Sequence, residues 1–442
     1  MTDASTAGLG FATRQLHAGI ELDGAHRPRA TPIYLTAGFV FDDFDQGHAR
    51  FAGTDDGFSY TRVGNPTNAA TERRIADLEG GIDALLVGSG QAAVVTTVLA
   101  LVAAGDHIVS ASSIYEGSRE LLRDDLARLG VTTTFVAAQN DAAAWEAAIR
   151  PETKALFAES IPNPKNEVLD IATIAGVAHR HGLPLIVDNT LGTPYLVRPI
   201  EHGADIVVHS ASKFLAGHGT VLGGVIVDGG TFAWDAAPDR FPQLAVERGL
   251  DGRTVVERAG RAAFLEHARH IALRFGPVPS PLNAFLILQG IETLSLRVQR
   301  QSATALRIAR WLEEQPGVAA VDYSGLDSSP YRDLAARYLP DGQGSVFAVT
   351  LEGGTEAART FTDALRLFTR MTHLGDVRSL VLHPATTTHV QREREELAAA
   401  GIGPGLLRLS IGLEEPDDLI ADLDRALAAV AAADILTRAG IA

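Results

Sequence analysis

The chain has 442 residues, 46% hydrophobic and 21% charged, enough to bury a large core and too apolar for a disordered segment or a small stapled module. Acidic residues outnumber basic ones by 54 to 38, a formal charge of −16. That balance offers no basic stripe to a nucleic-acid backbone and no attraction to an anionic membrane, and the absence of cysteine excludes disulfides, thiolate metal sites and a cysteine nucleophile.

The N-terminal stretch Met1–Gly19 has no basic segment followed by an apolar core, so it does not read as a secretory leader. The opening is irregular and rich in Gly, Pro and Asp, and a strand–helix alternation starts near Asp83. Apolar runs at Ala84–Val87, His107–Ser110, Val131–Val136, Ala155–Ala158, Leu185–Val187 and Ile206–Val208 read as buried strands. Helical patterns at Gln91–Ala103, Glu116–Leu129, Ala142–Ile149 and Ile171–His181 lie between several of them, which predicts a mostly parallel sheet covered on both faces. The longest apolar stretch, Ala92–Ala104, falls short of the roughly 20 residues that span a bilayer and reads as a buried helix, so the expected compartment is the cytoplasm. Asp228–Gly252, rich in Gly, Asp and Pro, reads as a surface insertion. From Pro281 the texture changes to a long helical pattern, Asn283–Glu314, then strands near Val318–Tyr323 and Val346–Leu351 and a last helix over Asp417–Ala432. The expected divisions are 1–70, 71–280 and a smaller α+β domain over 281–442.

Lysine occurs only at Lys154, Lys165 and Lys213, and the other basic residues are all arginine. Lysine has a deprotonatable amine and arginine does not, so a lysine kept in a buried-looking context points to chemistry. Ligands of an open parallel sheet collect beyond the carboxyl ends of the strands. There, Leu85-Leu86-Val87 runs into Gly88-Ser89-Gly90-Gln91-Ala92-Ala93, small residues at a helix start that suit a phosphate. The same six residues fit G-x-G-x-x-A, but the next strand ends in Ser110 and not in the acidic residue a nicotinamide dinucleotide requires, and a simple tight turn is a third reading. Leu185-Ile186-Val187 ends in Asp188, which is either a carboxylate for a ligand or a turn residue. Ile206–Val208 ends in His209-Ser210-Ala211-Ser212-Lys213. A phosphate cradle, an acid and an amine are the set that pyridoxal 5′-phosphate requires, with no metal.

The chain resembles the Cys/Met metabolism family of pyridoxal-phosphate enzymes from about Phe11 to Leu427, and within it the O-acetylhomoserine sulfhydrylase branch. The resemblance is carried by Tyr60-Thr61-Arg62-Val63-Gly64-Asn65-Pro66-Thr67, Glu159-Ser160-Ile161-Pro162-Asn163-Pro164, the Asp188 and Lys213 motifs, His383-Pro384-Ala385-Thr386-Thr387-Thr388-His389 and Arg408-Leu409-Ser410-Ile411-Gly412. It implies an α/β, fold-type-I (aspartate-aminotransferase-like) transferase with a large cofactor-binding domain and a smaller C-terminal one. By the same resemblance, Lys213 is the Schiff-base and proton-transfer residue, Asp188 holds the pyridine nitrogen, and the Gly90 and Gln91 amides with Ser210 and Ser212 bind the phosphate. Tyr115 stacks on the ring and assists proton transfer, Asn163 sits near the cofactor, and Glu159 either supports that loop or is a turn residue. Arg408, with His373 beside it, meets the substrate carboxylate. Tyr60 and Arg62, in the arm 1–70, reach the phosphate site of a neighbouring subunit, in a tetramer built from two catalytic dimers.

Four positions depart from the branch: His373 stands where Asn is usual, Gln301 and Thr304 replace His and Asn, and Glu116 follows Tyr115 where Gly is typical. His373 adds a group expected to titrate near about 6.5. The expected reaction is γ-replacement on O-acetyl-L-homoserine by sulfide or methanethiol. A γ-lyase, a cystathionine γ-synthase and a non-catalytic cofactor-binding regulator are the alternatives.

Overall fold

The computed structural model describes residues 6, 8–19, 26–249 and 251–438. The first five residues of the expected non-leader stretch, with Ala7, and Leu250 of the segment 228–252 lie outside them. Strands β1 (Asp83–Val87), β2 (His107–Ala111), β3 (Thr132–Val136), β4 (Thr153–Glu159), β5 (Leu185–Asp188), β6 (Ile206–His209) and β7 (Gly224–Asp228) form one sheet in the order β1-β7-β6-β5-β4-β2-β3. The run from β3 to β6 is parallel, and β7 lies antiparallel between β6 and β1. Parallel strands covered on both faces are apolar throughout, as Leu185–Val187 and Ile206–Val208 are. The strand ends that carry chemistry therefore open on one edge of the sheet.

A second sheet, with strands β8 (Val318–Asp322), β9 (Val346–Leu351), β10 (Thr369–Arg370), β11 (Leu380–Leu382) and β12 (Leu406–Ser410), has the order β10-β11-β12-β9-β8 and is antiparallel except for β10–β11. Its own core gathers Leu312, Phe347, Phe361, Leu407 and Leu419. The helix Pro416–Arg438 closes the described chain.

Three expectations from the sequence need correction. The helical pattern from Asn283 to Glu314 is two helices, Pro281–Ile291 and Leu294–Glu313. At the break Arg297 folds back, its Nη2 donating to Gly290 O at 2.7 Å and its Nε to Thr293 Oγ1 at 3.2 Å, local bonds that hydrophobic periodicity does not register. The expected helix Glu116–Leu129 is interrupted by a π-turn at Leu121–Asp125 between Glu116–Glu120 and Leu126–Arg128. The segment 228–252 is a plug as much as a surface insertion. Trp234 and Phe241 are buried, and the Trp234 ring stacks on Phe264 with centroids 5.6 Å apart while Phe232 lies 4.6 Å away. Its glycines and prolines make the turns, and its irregularly spaced aromatic rings supply the burial.

Trp234→Ala removes a ring that its neighbours cannot replace, so unfolding stability measured with chemical denaturant falls by about 3–5 kcal/mol. A change below about 1 kcal/mol would show that the plug collapses to fill the gap.

Candidate active site

A cavity of about 510 Å³ lies at the carboxyl edge of the large sheet, roofed by residues of the smaller one. Gly90, Gln91, Tyr115, Asn163, Asp188, Ser210, Ser212, Lys213, His373 and Arg408 all line it. Its floor depends on close backbone packing. A Cβ on Gly90 would stand 2.6 Å from Ser210 Cβ, so glycine there lets the helix Gly90–Leu99 start against the end of β6. The first N–H groups of a helix have no acceptor within it. Ser89 Oγ takes that of Ala92 at 3.1 Å, and Gly90 and Gln91 remain at the cavity wall as an anion cradle. Ser212 Oγ is engaged with Gly223, accepting from its N–H at 3.0 Å and donating to its carbonyl at 3.2 Å.

Lys213 stands in the tight turn after β6, where Gly217 N–H donates to its carbonyl at 2.7 Å. Gly290 allows the carbonyls of Leu215 and Ala216 to approach to where a Cβ would be only 2.4 Å away, which backs that turn with a helix. The Lys213 amine is pushed down to about 8, first by burial and then by the nearby Arg408 guanidinium. Its Nζ lies 3.1 Å from His373 Nδ1. His373 is pushed down to about 4 by burial and by Lys213, so the imidazole is neutral and does not titrate near 6.5 as the sequence suggested. The protonated amine can only donate, so Nδ1 accepts from it and Nε2 is left buried without a partner among the described residues.

Arg408, on β12, is 5% exposed. Its Nη1 donates to Asn163 Oδ1 at 3.2 Å and its Nη2 to the carbonyls of Thr372 and His373, both at 3.0 Å. Among the described residues no carboxylate pairs with it, and burial lowers its pKa to about 10. A buried fork without an acid has the chemistry to take a ligand's carboxylate.

Asp188 Oδ1 accepts from Thr190 N at 2.9 Å and from Thr190 Oγ1 at 2.5 Å, so the two readings of this residue are both realised: it makes an Asx-turn and it faces the cavity. Glu159, its lateral partner on β4, accepts the Tyr115 N–H at 2.6 Å and so sets the place of the tyrosine. Burial raises both carboxyls, Glu159 the further, and the charge of Asp188 raises Glu159 again. Behind them His209 Nε2 lies 2.6 Å from Glu79 Oε1, which also accepts from Asn189 Nδ2 at 2.9 Å. Glu79 and His209 are 130 positions apart and nothing in the sequence pairs them, whereas a Thr two residues after Asp188 is a turn signal legible there.

Tyr60 and Arg62 do not line this cavity. Arg62 donates to Leu273 O at 2.6 Å and faces a separate depression. The other lysines are occupied: Lys154 donates to Arg240 O, and Lys165 lies 3.9 Å from Asp322. Among the described residues no group of three or more His, Asp or Glu side chains is placed to hold a metal.

The residues fit pyridoxal 5′-phosphate. Gly90 and Gln91 at the helix start, with Ser210 and Ser212 beside them on the cavity wall, are a donor set suited to a phosphate. Lys213 is the available amine, and a protonated ring nitrogen beside Asp188 is the counter-charge that the Asp188–Glu159 pair lacks. Fold and site together define a pyridoxal-phosphate-dependent enzyme of the fold-type-I class.

The chain belongs to the Cys/Met metabolism PLP-dependent enzyme family, whose model matches residues 12–428. It is 43% identical over 425 residues to the O-acetyl-L-homoserine sulfhydrylase of Corynebacterium glutamicum, covering 95% of this chain and 97% of that one. It is 45% identical over 422 residues to a homocysteine synthase of Schizosaccharomyces pombe, covering 94% and 98%. A crystal structure of a Campylobacter jejuni protein assigned as an O-acetylhomoserine (thiol)-lyase, carrying a pyridoxyl-lysine phosphate, matches with a TM-score of 0.91 at 34% identity, over 95% of this chain and all of that one.

The low pKa of Lys213 gives a direct test in cofactor-free protein. Only the neutral amine attacks an amine-directed reagent such as trinitrobenzenesulfonate, so the modification rate at Lys213, read by peptide mass mapping, should rise with a midpoint near about 8. A midpoint at the ordinary lysine value of about 10.4 would show that the amine is not desolvated.

Proposed function

We propose that the chain converts O-acetyl-L-homoserine and sulfide, or methanethiol, to L-homocysteine, or L-methionine, and acetate. The observation that carries this reading is the unpaired, buried Arg408 within the same cavity as Lys213, a receptor for an amino-acid carboxylate beside a lysine base. The choice of substrate within the family rests on the sulfhydrylases and homocysteine synthases that match nearly the whole chain.

Bound pyridoxal 5′-phosphate supplies an electron sink that acidifies the α and then the β proton of the amino acid. Gly90, Gln91, Ser210 and Ser212 hold its phosphate end in this reading, and Asp188, fixed by Thr190, holds its ring nitrogen. Arg408 orients the substrate by its α-carboxylate. Lys213 Nζ accepts and returns the substrate protons, and His373 Nδ1 holds the amine by accepting a hydrogen bond from it. Glu159 fixes the backbone of Tyr115, whose ring would cover the bound cofactor. Acetate leaves from Cγ, and the sulfur nucleophile forms the new bond there.

The arm ahead of residue 70 supports an oligomer. Leu35, Val40, Phe44 and Phe51 are 73–94% exposed, a run of bare hydrocarbon of the kind that marks an interaction surface. In the proposed assembly, a tetramer of two catalytic dimers in the cytoplasm, this arm carries Tyr60 and Arg62 into the partner's site.

Product analysis tests the reaction. With O-acetyl-L-homoserine and sulfide the protein should release homocysteine and acetate in equal amounts, and dominant 2-oxobutanoate at saturating sulfide would move it to the γ-lyases. Arg408→Lys, which loses the fork, should raise KM for the amino acid by roughly 10-fold or more with a smaller effect on kcat. Arg62→Ala and Lys213→Ala proteins, each inactive, should regain activity when mixed, because a hybrid dimer holds one site with both residues. A fully active monomer would overturn the shared site.

A further inference from the structure

Beside the main cavity lies a smaller chamber of about 230 Å³, lined among others by Ser113, Arg119, Lys165, Glu167 and Arg392. The two spaces share three lining residues, Ile114, Asn163 and His389. Glu116 faces the main cavity and Arg392 faces the chamber, and they meet between the two. Arg392 Nε donates to Glu116 Oε1 at 3.0 Å and its Nη2 donates to Oε2. Both side chains are under 10% exposed, which makes this a buried fork-to-carboxylate pair.

The other charged groups around the pair leave its partnership undisturbed. His389 Nε2 lies 3.8 Å from Glu116 Oε2, and burial and Arg392 push it down to about 4, so it is a neutral neighbour. Arg119 is packed over the Phe135 ring at 4.7 Å, and Glu396 also lines the chamber. Glu116 is also the position at which this sequence departs from the glycine typical of its branch. A glycine there would leave Arg392 buried without an acid.

We propose that the Glu116–Arg392 pair is the partition that limits the size of the sulfur nucleophile, by closing the side chamber off from the site in which acetate is displaced. The inference rests on the γ-replacement reading. With the wall removed, the chamber joins the cavity and a thiol bearing an aromatic ring gains a place for it.

The test compares sulfide with benzyl mercaptan as acceptors for O-acetyl-L-homoserine, in the cofactor-loaded wild type, Glu116→Gly, Arg392→Leu and the double variant. Each single change leaves one buried charge unpaired and can cost stability, and the double change removes both. Because either change breaches the same wall, the ratio of kcat/KM for benzyl mercaptan to that for sulfide should rise by roughly tenfold in every variant that folds. The increments in the double variant should not add.

A second measurement does not depend on turnover. In a Lys213→Ala background, the Kd of benzyl mercaptan by calorimetry should tighten by a similar factor when Glu116→Gly and Arg392→Leu are added. An unchanged selectivity ratio together with an unchanged Kd would overturn the partition. If the wild type forms no homocysteine while the Kd still tightens, the γ-replacement reading fails and the wall stands.

Discussion

Four ionisable groups, Lys213, Arg408, Asp188 and Glu159, share one cavity with no cation–carboxylate pair among them. Charges taken out of water are costly unless they are matched, and here the fold leaves them unmatched. Burial lowers the lysine and the arginine and raises both carboxyls. A ligand with a phosphate, a cationic ring nitrogen and a carboxylate supplies the missing partners. The rest of the architecture can be read as what holds this unmatched set in place.

The holding is done by backbone more than by side chains. β5 and β6 are short apolar strands, and Asp188 and the Lys213 turn leave the sheet at neighbouring ends. The helix that begins at Gly90 is pressed against Ser210, and the helix Pro281–Ile291 is pressed at Gly290 against the turn beyond Lys213. The buried Glu79–His209–Asn189 network lies beneath the same edge. Arg408 comes from the other sheet, so the cavity spans the junction of the two sheets, and its roof and floor are set by separate cores.

Much of this was legible in the sequence. Strand–helix alternation gave the parallel sheet because strands buried on both faces leave unbroken apolar runs, and the scarcity of lysine singled out Lys213 before any fold was known. What periodicity could not supply was anything set by a contact distant in sequence. The burial of Trp234 depends on Phe264, and the role of Glu159 depends on meeting the Tyr115 N–H. His373 shows the same limit in electrostatic form. Its type suggested a group that titrates near neutrality, and its surroundings hold it neutral.

The use of arginine for nearly every cation changes how the protein responds to alkali. Most proteins shed surface charge between about pH 9 and 11 as their lysines deprotonate, whereas guanidinium stays charged beyond about pH 12. This chain has three lysines in all, and its surface ion pairs, such as Arg180–Glu146 and Arg248–Glu257, are built on arginine. Its positive surface charge is thus nearly constant up to and beyond the range in which ordinary lysines titrate. The surface ion pairs therefore persist in alkali, and the cations that change state there include the buried Lys213, near about 8, and Arg408, near about 10.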